Sequence, residues 1–313
     1  MKLNYLASTA FACTLTALLS TAAFAGDVEI TKGDDSKATV TSGTDKPTSL
    51  NLMDLHETFV GASSVRQGPS LGKQSVVHSD FDYSHRFHTT GNWYLRVGVE
   101  YERYDFGRTI TPLPTHLQAA TADIAYEYVV QDYAAAAIEI HPGFYYQNDA
   151  SSRSFAVPVD IYSAFPIKKD KVFGMIGAYY SPFIDPPVFP LGGIIWLISD
   201  KWRLEALFPR PALIYTMNDD WEFRLAGNIG GGGFRMDGSS NNVPRSNYQG
   251  AVLQYESYEA GVQVKYTHWK GVDITLGAGY SAEREFDFFR DGPFQKYKAV
   301  GAPYVQLALE TKF

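Results

Sequence analysis

The stretch Trp93-Tyr94-Leu95-Arg96-Val97-Gly98-Val99-Glu100-Tyr101-Glu102 puts apolar residues at every odd position and mostly charged or small ones between them. A period of two sends successive side chains to opposite faces of a strand, so the two faces meet different surroundings. The same alternation returns at Trp202–Phe208, Trp221–Ala226, Tyr258–Tyr266, Asp273–Ala278 and Val305–Phe313. No long window carries a 3.6-residue repeat. A chain built this way folds as sheet, with one face of that sheet apolar along most of its length.

The first residues narrow the setting. Lys2, an apolar stretch to Leu19 and the A-x-A cleavage site Ala23-Phe24-Ala25 read as a secretory signal peptide over residues 1–25. Cys13, the single cysteine, falls inside it, so the exported chain needs no disulfides. Residues 26–50 are rich in Asp, Lys, Thr, Gly and Ser and read as a disordered or loosely attached periplasmic segment. The chain carries 27 basic and 34 acidic residues, and removing residues 1–25 takes away one lysine and no acid, leaving 26 against 34, or −8. That balance argues against a nucleic-acid surface. Aromatic residues reach 15%, with 21 Tyr and 20 Phe, while mean hydropathy is only −0.18. After the signal peptide no apolar run is long enough for a transmembrane helix. Export, abundant aromatics and middling hydropathy together point to an all-β, antiparallel up-and-down transmembrane β-barrel over residues 51–313, in the bacterial outer membrane.

Strand-like runs number about 14, with about 12 the alternative, since bacterial single-chain barrels prefer even counts. Short polar turns at 89–92, 131–132, 168–170, 199–201, 218–220 and 268–271 alternate with longer connections near 106–116, 147–153, 182–190, 237–249 and 287–302. Short turns on one rim and long loops on the other match an outer-membrane barrel with its short side periplasmic. The Phe208-Pro209-Arg210-Pro211 link falls on the long side yet is short. Trp93, Trp202, Trp221 and Trp269 lie in or just after short turns, where amphipathic rings would mark the membrane interface. The alternating Val305-Gln306-Leu307-Ala308-Leu309-Glu310-Thr311-Lys312-Phe313 resembles the closing strand read by the barrel-assembly machinery, with Phe313 as its aromatic end. Expected partners are therefore outer-membrane lipid and that machinery.

Five segments resemble an uncharacterised family of bacterial outer-membrane barrels, a domain of unknown function: YSHRF at 83–87, NWYLRVGVEYERYDFG at 92–107, FPRPALIY at 208–215, WEFRLAGNIGGGGFRM at 221–236 and YSAEREFDF at 280–288. The resemblance spans residues 75–313 and implies fold and location, with no activity and no functional residues.

If lipid surrounds the barrel, charged residues in its strands must face the lumen. By parity these are Arg96, Glu100, Asp123, Glu127, Arg203, Glu205, Glu222, Arg224 and Lys265, with Glu259 and Glu310 beside them. They read either as the wall of a polar path or as a network of paired charges filling a narrow barrel. Gly230-Gly231-Gly232-Gly233 lacks the Lys-Ser/Thr of a phosphate loop and reads as a place for bending or close packing. The seven histidines fall into no metal-ligand spacing, so no metal or cofactor is expected. Ser84-His85 and His141 are the remnants from which an embedded hydrolase could be imagined, without a paired partner in the sequence. The leading expectation is a non-enzymatic channel or facilitator for small solutes. A closed structural or surface-interaction barrel is the alternative, and a hydrolase the third reading.

Overall fold

The computed structural model describes residues 50–109, 112–130, 133–169, 171–238 and 248–313, with only the backbone of 133 and 134. The signal peptide, the segment before residue 50, the turn at 131–132, Asp170 and most of the connection at 237–249 lie outside the described residues. Sixteen β segments follow one another: β1 (Leu50–Arg66), β2 (Ser70–Thr90), β3 (Trp93–Phe106), β4 (His116–Val130), β5 (Tyr133–Ile140), β6 (Gly143–Tyr146), β7 (Phe155–Ala156), β8 (Val159–Lys168), β9 (Val172–Tyr180), β10 (Val188–Leu197), β11 (Trp202–Phe208), β12 (Ala212–Thr216), β13 (Trp221–Arg235), β14 (Val252–Trp269), β15 (Val272–Arg290) and β16 (Gln295–Lys312).

Two pairs of segments are single strands broken by proline. Pro142 separates β5 from β6 and Pro158 separates β7 from β8. Neither proline can donate to the ladder. Their carbonyls still accept, Pro142 from Ala122 N at 3.0 Å and Pro158 from His141 N at 3.0 Å. Counted this way the wall is a closed, antiparallel, up-and-down barrel of 14 strands. Consecutive strands pair around the wall, with one seam at β12–β13, and the chain's two ends close the ring at a second, where β1 pairs with β16. At the second seam Asn51 N donates to Phe313 O at 2.8 Å and Phe313 N to Asn51 O at 3.0 Å.

Polarity inverts along the barrel axis. Near the turn rim the outside is apolar, as in Leu55, Val97, Val99, Ile124, Ile176, Leu225, Val262, Leu276 and Leu307, all exposed. Farther up, the inside is apolar and the outside charged. Phe286, Phe288, Tyr297 and Ala299 are buried there, while Lys296 and Lys298 pair outside with Glu285 at 2.8 Å and Glu283 at 2.8 Å. This inversion corrects the expected long connection at 287–302: β15 runs to Arg290, β16 starts at Gln295, and only 291–294 lie between. Charged residues there read as loop because lipid no longer demands an apolar outer face.

In the same outer region β13 leaves β12 and reaches β6, where Arg235 pairs in parallel with Tyr146. The outer wall is therefore a narrower ring of β13–β16, β1–β4 and β6. Its inside is packed by Tyr104, Phe106, Phe234, Tyr255 and Phe286, with neighbouring ring centroids 5.0–6.1 Å apart and edge-to-face geometry prominent. Residues 181–187 fill the space between β13 and the ends of β9 and β10. Ile184 packs with Tyr179, Phe189 and Leu191, and the Phe183 backbone lies against Gly233 so closely that a Cβ there would collide with its carbonyl. The tetraglycine run thus lets one backbone sit on another.

Candidate functional site within the barrel

The outer surface fixes the membrane frame. Trp93 stacks on Tyr126 at 4.9 Å, Trp202 tilts on Tyr215 at 4.9 Å, Trp221 on Tyr266 at 4.6 Å, and Trp269 meets Tyr266 edge-on at 5.6 Å. All four tryptophans are exposed at one rim and form an aromatic collar with those tyrosines. Trp196, at the end of β10, joins them. Phe313 is exposed at the same rim. Glu57 interrupts the apolar outer face, exposed between Leu55 and Phe59.

Inside, the nine charged candidates fall into three groups rather than one ring. On β11 and β13, Arg203 Nε donates to Glu205 at 2.7 Å and Arg224 Nε to Glu222 at 2.5 Å, with Arg203 and Glu222 3.8 Å apart. These side chains keep 12–15% of their surface and line a vestibule near the collar. Lys265 reaches Asp273 at 2.9 Å and Glu310 at 2.9 Å, again near that rim. On the facing wall the charges are sealed. Arg96 donates to Glu127 at 2.8 Å and Glu139 at 2.5 Å, and Arg86 holds the other oxygen of Glu127 at 2.8 Å. Glu100 and Asp123 are buried one step farther from the rim.

The sequence reading missed much of this sealed group. Asp80, Glu102, Glu139 and Asp160 are buried inside with Glu100 and Asp123, and His141 sits among them with no exposed surface. Parity could have found them, since Ala137, Glu139 and His141 alternate inward on one broken strand, but their alanine-rich surroundings look unlike the other strands. Ser84 and His85 do not form a pair. Ser84 points inward and is buried, whereas His85 turns outward to Asn51 Oδ1 at 2.8 Å. Adjacent residues of a strand cannot share a face.

Between the sealed charges and the aromatic packing lies a cavity of about 20 Å³ bordered by His56, His78, Tyr104, Tyr255 and Glu259, room for one water. His78 stacks on Tyr104 at 4.2 Å and reaches Glu102 at 3.0 Å. The interior thus has three levels: a wet charged vestibule, a buried polar band and an aromatic closure.

A closed antiparallel barrel with an apolar girdle, an aromatic collar on one rim and a charged interior is a transmembrane β-barrel of the bacterial outer-membrane class. The sequence matches no family model and no curated protein. Solved structures similar in fold include an outer-membrane channel from Pseudomonas putida F1, at 10% identity and a TM-score of 0.44, covering 88% of this chain and 100% of that one. The Pseudomonas putida toluene transporter TodX gives 10% identity and 0.31 over 84% and 89%. The outer-membrane protease OmpT from Escherichia coli gives 9% and 0.27 over 85% and 97%. A barrel fold hosts many functions, and what this one does lives in its interior.

Proposed function

We propose that the protein is a non-enzymatic facilitator for small solutes across the outer membrane, held closed in this conformation. The observation that carries the reading is the vestibule. Arg203, Glu205, Glu222 and Arg224 face inward yet keep contact with water, so polar solute has a lined approach from the collar rim toward the centre. Mixed signs there suit small polar or zwitterionic solutes better than one class of ion. What stands in the way is the aromatic layer and residues 181–187. That segment meets the wall through Gly233, through Phe183 against Tyr145 and Arg235, through Ile184 against Tyr179, Phe189 and Leu191, and through a hydrogen bond from Asp185 N to Gln254 Oε1 at 3.0 Å, contacts that lie outside the strand ladder. A seal of that kind can move without breaking the barrel.

The second reading, a closed structural barrel, is favoured by the aromatic packing itself. One experiment separates the two: conductance and liposome swelling of the wild type and of a variant with residues 182–186 replaced by a short Gly-Ser turn. Passage predicts rare or small openings in the wild type and a larger, steadier flux in the variant. A folded variant as impermeable as lipid alone would favour the structural barrel.

A further inference from the structure

The break between β5 and β6 places a side-chain group that neither the vestibule nor the closure uses. His141 is the last inward residue before Pro142, and its ring is fully buried. Its Nδ1 lies 2.6 Å from Asp123 Oδ1 and its Nε2 lies 3.1 Å from Asp160 Oδ2. Glu100, Asp123 and His141 each bring a donor atom to within 4.8 Å of the other two. They come from β3, β4 and the β5–β6 junction. Asp123 sits opposite Gly98, and Glu100 opposite Thr121, whose hydroxyl reaches Glu100 Oε2 at 3.4 Å.

We propose that Glu100, Asp123 and His141 bind a divalent first-row transition-metal ion, with Asp160 as the positioning residue for the imidazole. The inference does not depend on solute passage and stands or falls separately from it. Three observations carry it. The donors are one imidazole and two carboxylates with no sulfur, a set that suits Zn²⁺ or Mn²⁺ better than an ion preferring oxygen alone. Asp160 holds Nε2, the ring nitrogen turned away from Asp123. A carboxylate on one nitrogen fixes the tautomer that offers the other nitrogen to a metal. Finally, buried oxygens stand unsatisfied beside the ring. Asp160 Oδ1 and Glu139 Oε2, of carboxylates on the Nε2 side, have no hydrogen-bond partner among the described residues, although their side chains are 0% and 2% exposed.

Charge gives the same direction. Asp82 contacts Asp123, so Asp82, Glu100, Asp123, Glu139 and Asp160 converge on one buried region. Among the described residues the arginine bonded into this group is Arg96, on Glu139. Buried carboxylates are stable only when paired, hydrogen-bonded or coordinated to metal. A protonated His141 bridging two aspartates supplies one positive charge. A divalent ion supplies two and leaves the ring neutral. Nδ1 and Asp123 Oδ1 would have to part from 2.6 Å to the roughly 3 Å separation of ligands on one ion.

The test uses the full mature chain refolded in detergent, stripped with chelator and checked for folding by heat-modifiable migration. Zn²⁺ is titrated calorimetrically, and Co²⁺ is titrated while visible d–d absorption is recorded. The expected result is one Zn²⁺ per chain at micromolar affinity or tighter, with a Co²⁺ spectrum showing nitrogen–oxygen ligation. Glu100→Gln and His141→Asn should each weaken binding at least about 100-fold, and Asp160→Asn about 10–100-fold. Ca²⁺ should not compete. A folded wild type that takes up neither ion stoichiometrically would overturn the site, as would affinity unchanged in folded Glu100→Gln and His141→Asn. If both variants fail to fold, the wild-type Co²⁺ spectrum decides: d–d bands saturating at one equivalent support the site, and their absence overturns it.

Discussion

Replacing Arg96 with Met should cost this barrel more than any comparable change in the vestibule. Arg96 is 2% exposed and bonds Glu127 at 2.8 Å and Glu139 at 2.5 Å. Its loss affects the two carboxylates unequally. Glu127 keeps Arg86 at 2.8 Å, whereas among the described residues the ion pair left to Glu139 is His141 Nε2 at 4.0 Å. One buried carboxylate is therefore left nearly alone, and breaking a buried pair from one side costs about 3–5 kcal/mol. Arg224→Met is the control. Its pair with Glu222 keeps 14–15% of its surface and some water, so the loss there should be about 1 kcal/mol. Adding Glu139→Gln to Arg96→Met removes the orphaned charge, so the double variant should lie about 2 kcal/mol above the sum of the single losses. Urea unfolding in lipid vesicles, followed by tryptophan fluorescence, measures all five proteins, Glu139→Gln alone included. An Arg96→Met protein within about 1 kcal/mol of wild type would refute the sealed network.

Other perturbations test other levels of the structure. Val97→Arg places a charge on the lipid face and should destabilise by about 2–4 kcal/mol in the same unfolding assay if the site lies near the midplane. Deleting Phe313 removes its paired bonds with Asn51 at the β1–β16 seam and should lower the heat-modifiable, folded fraction in the outer membrane. Gly233→Ala drives a methyl group into the Phe183 carbonyl, which should cost about 1–3 kcal/mol and make the segment around 183 more susceptible to protease.

Legibility followed the solvent on each face. Where lipid lies outside and charge inside, as in Trp93–Glu102, alternation was plain and the strands could be placed from sequence. The common rim of Trp93, Trp202, Trp221 and Trp269 was equally plain, because each sits beside a short turn. The alternation at Asp287–Lys298 has the opposite sign, aromatic inward and charged outward, and it read as a loop. Register was not legible at all. That Glu139, on a short alanine-rich strand, meets Arg96, or that His141 lies between Asp123 and Asp160, depends on pairings such as Ala125 with Glu139 and Glu139 with Asp160. One residue of slip would move every such contact to the other face. The outer closure was hidden for a similar reason: the parallel meeting of Arg235 with Tyr146 joins segments far apart in the chain.

The most direct test of the account is a nitroxide scan from position 94 to 101 in lipid vesicles, reading collision with oxygen and with a water-soluble nickel complex. Labels at 97, 99 and 101 should meet oxygen strongly and nickel weakly. Those at 96, 98 and 100 should be sheltered from both, because that face is packed inside the barrel. A profile without a period of two, or one with oxygen access at 96 and 100, would contradict a barrel whose charged face looks inward.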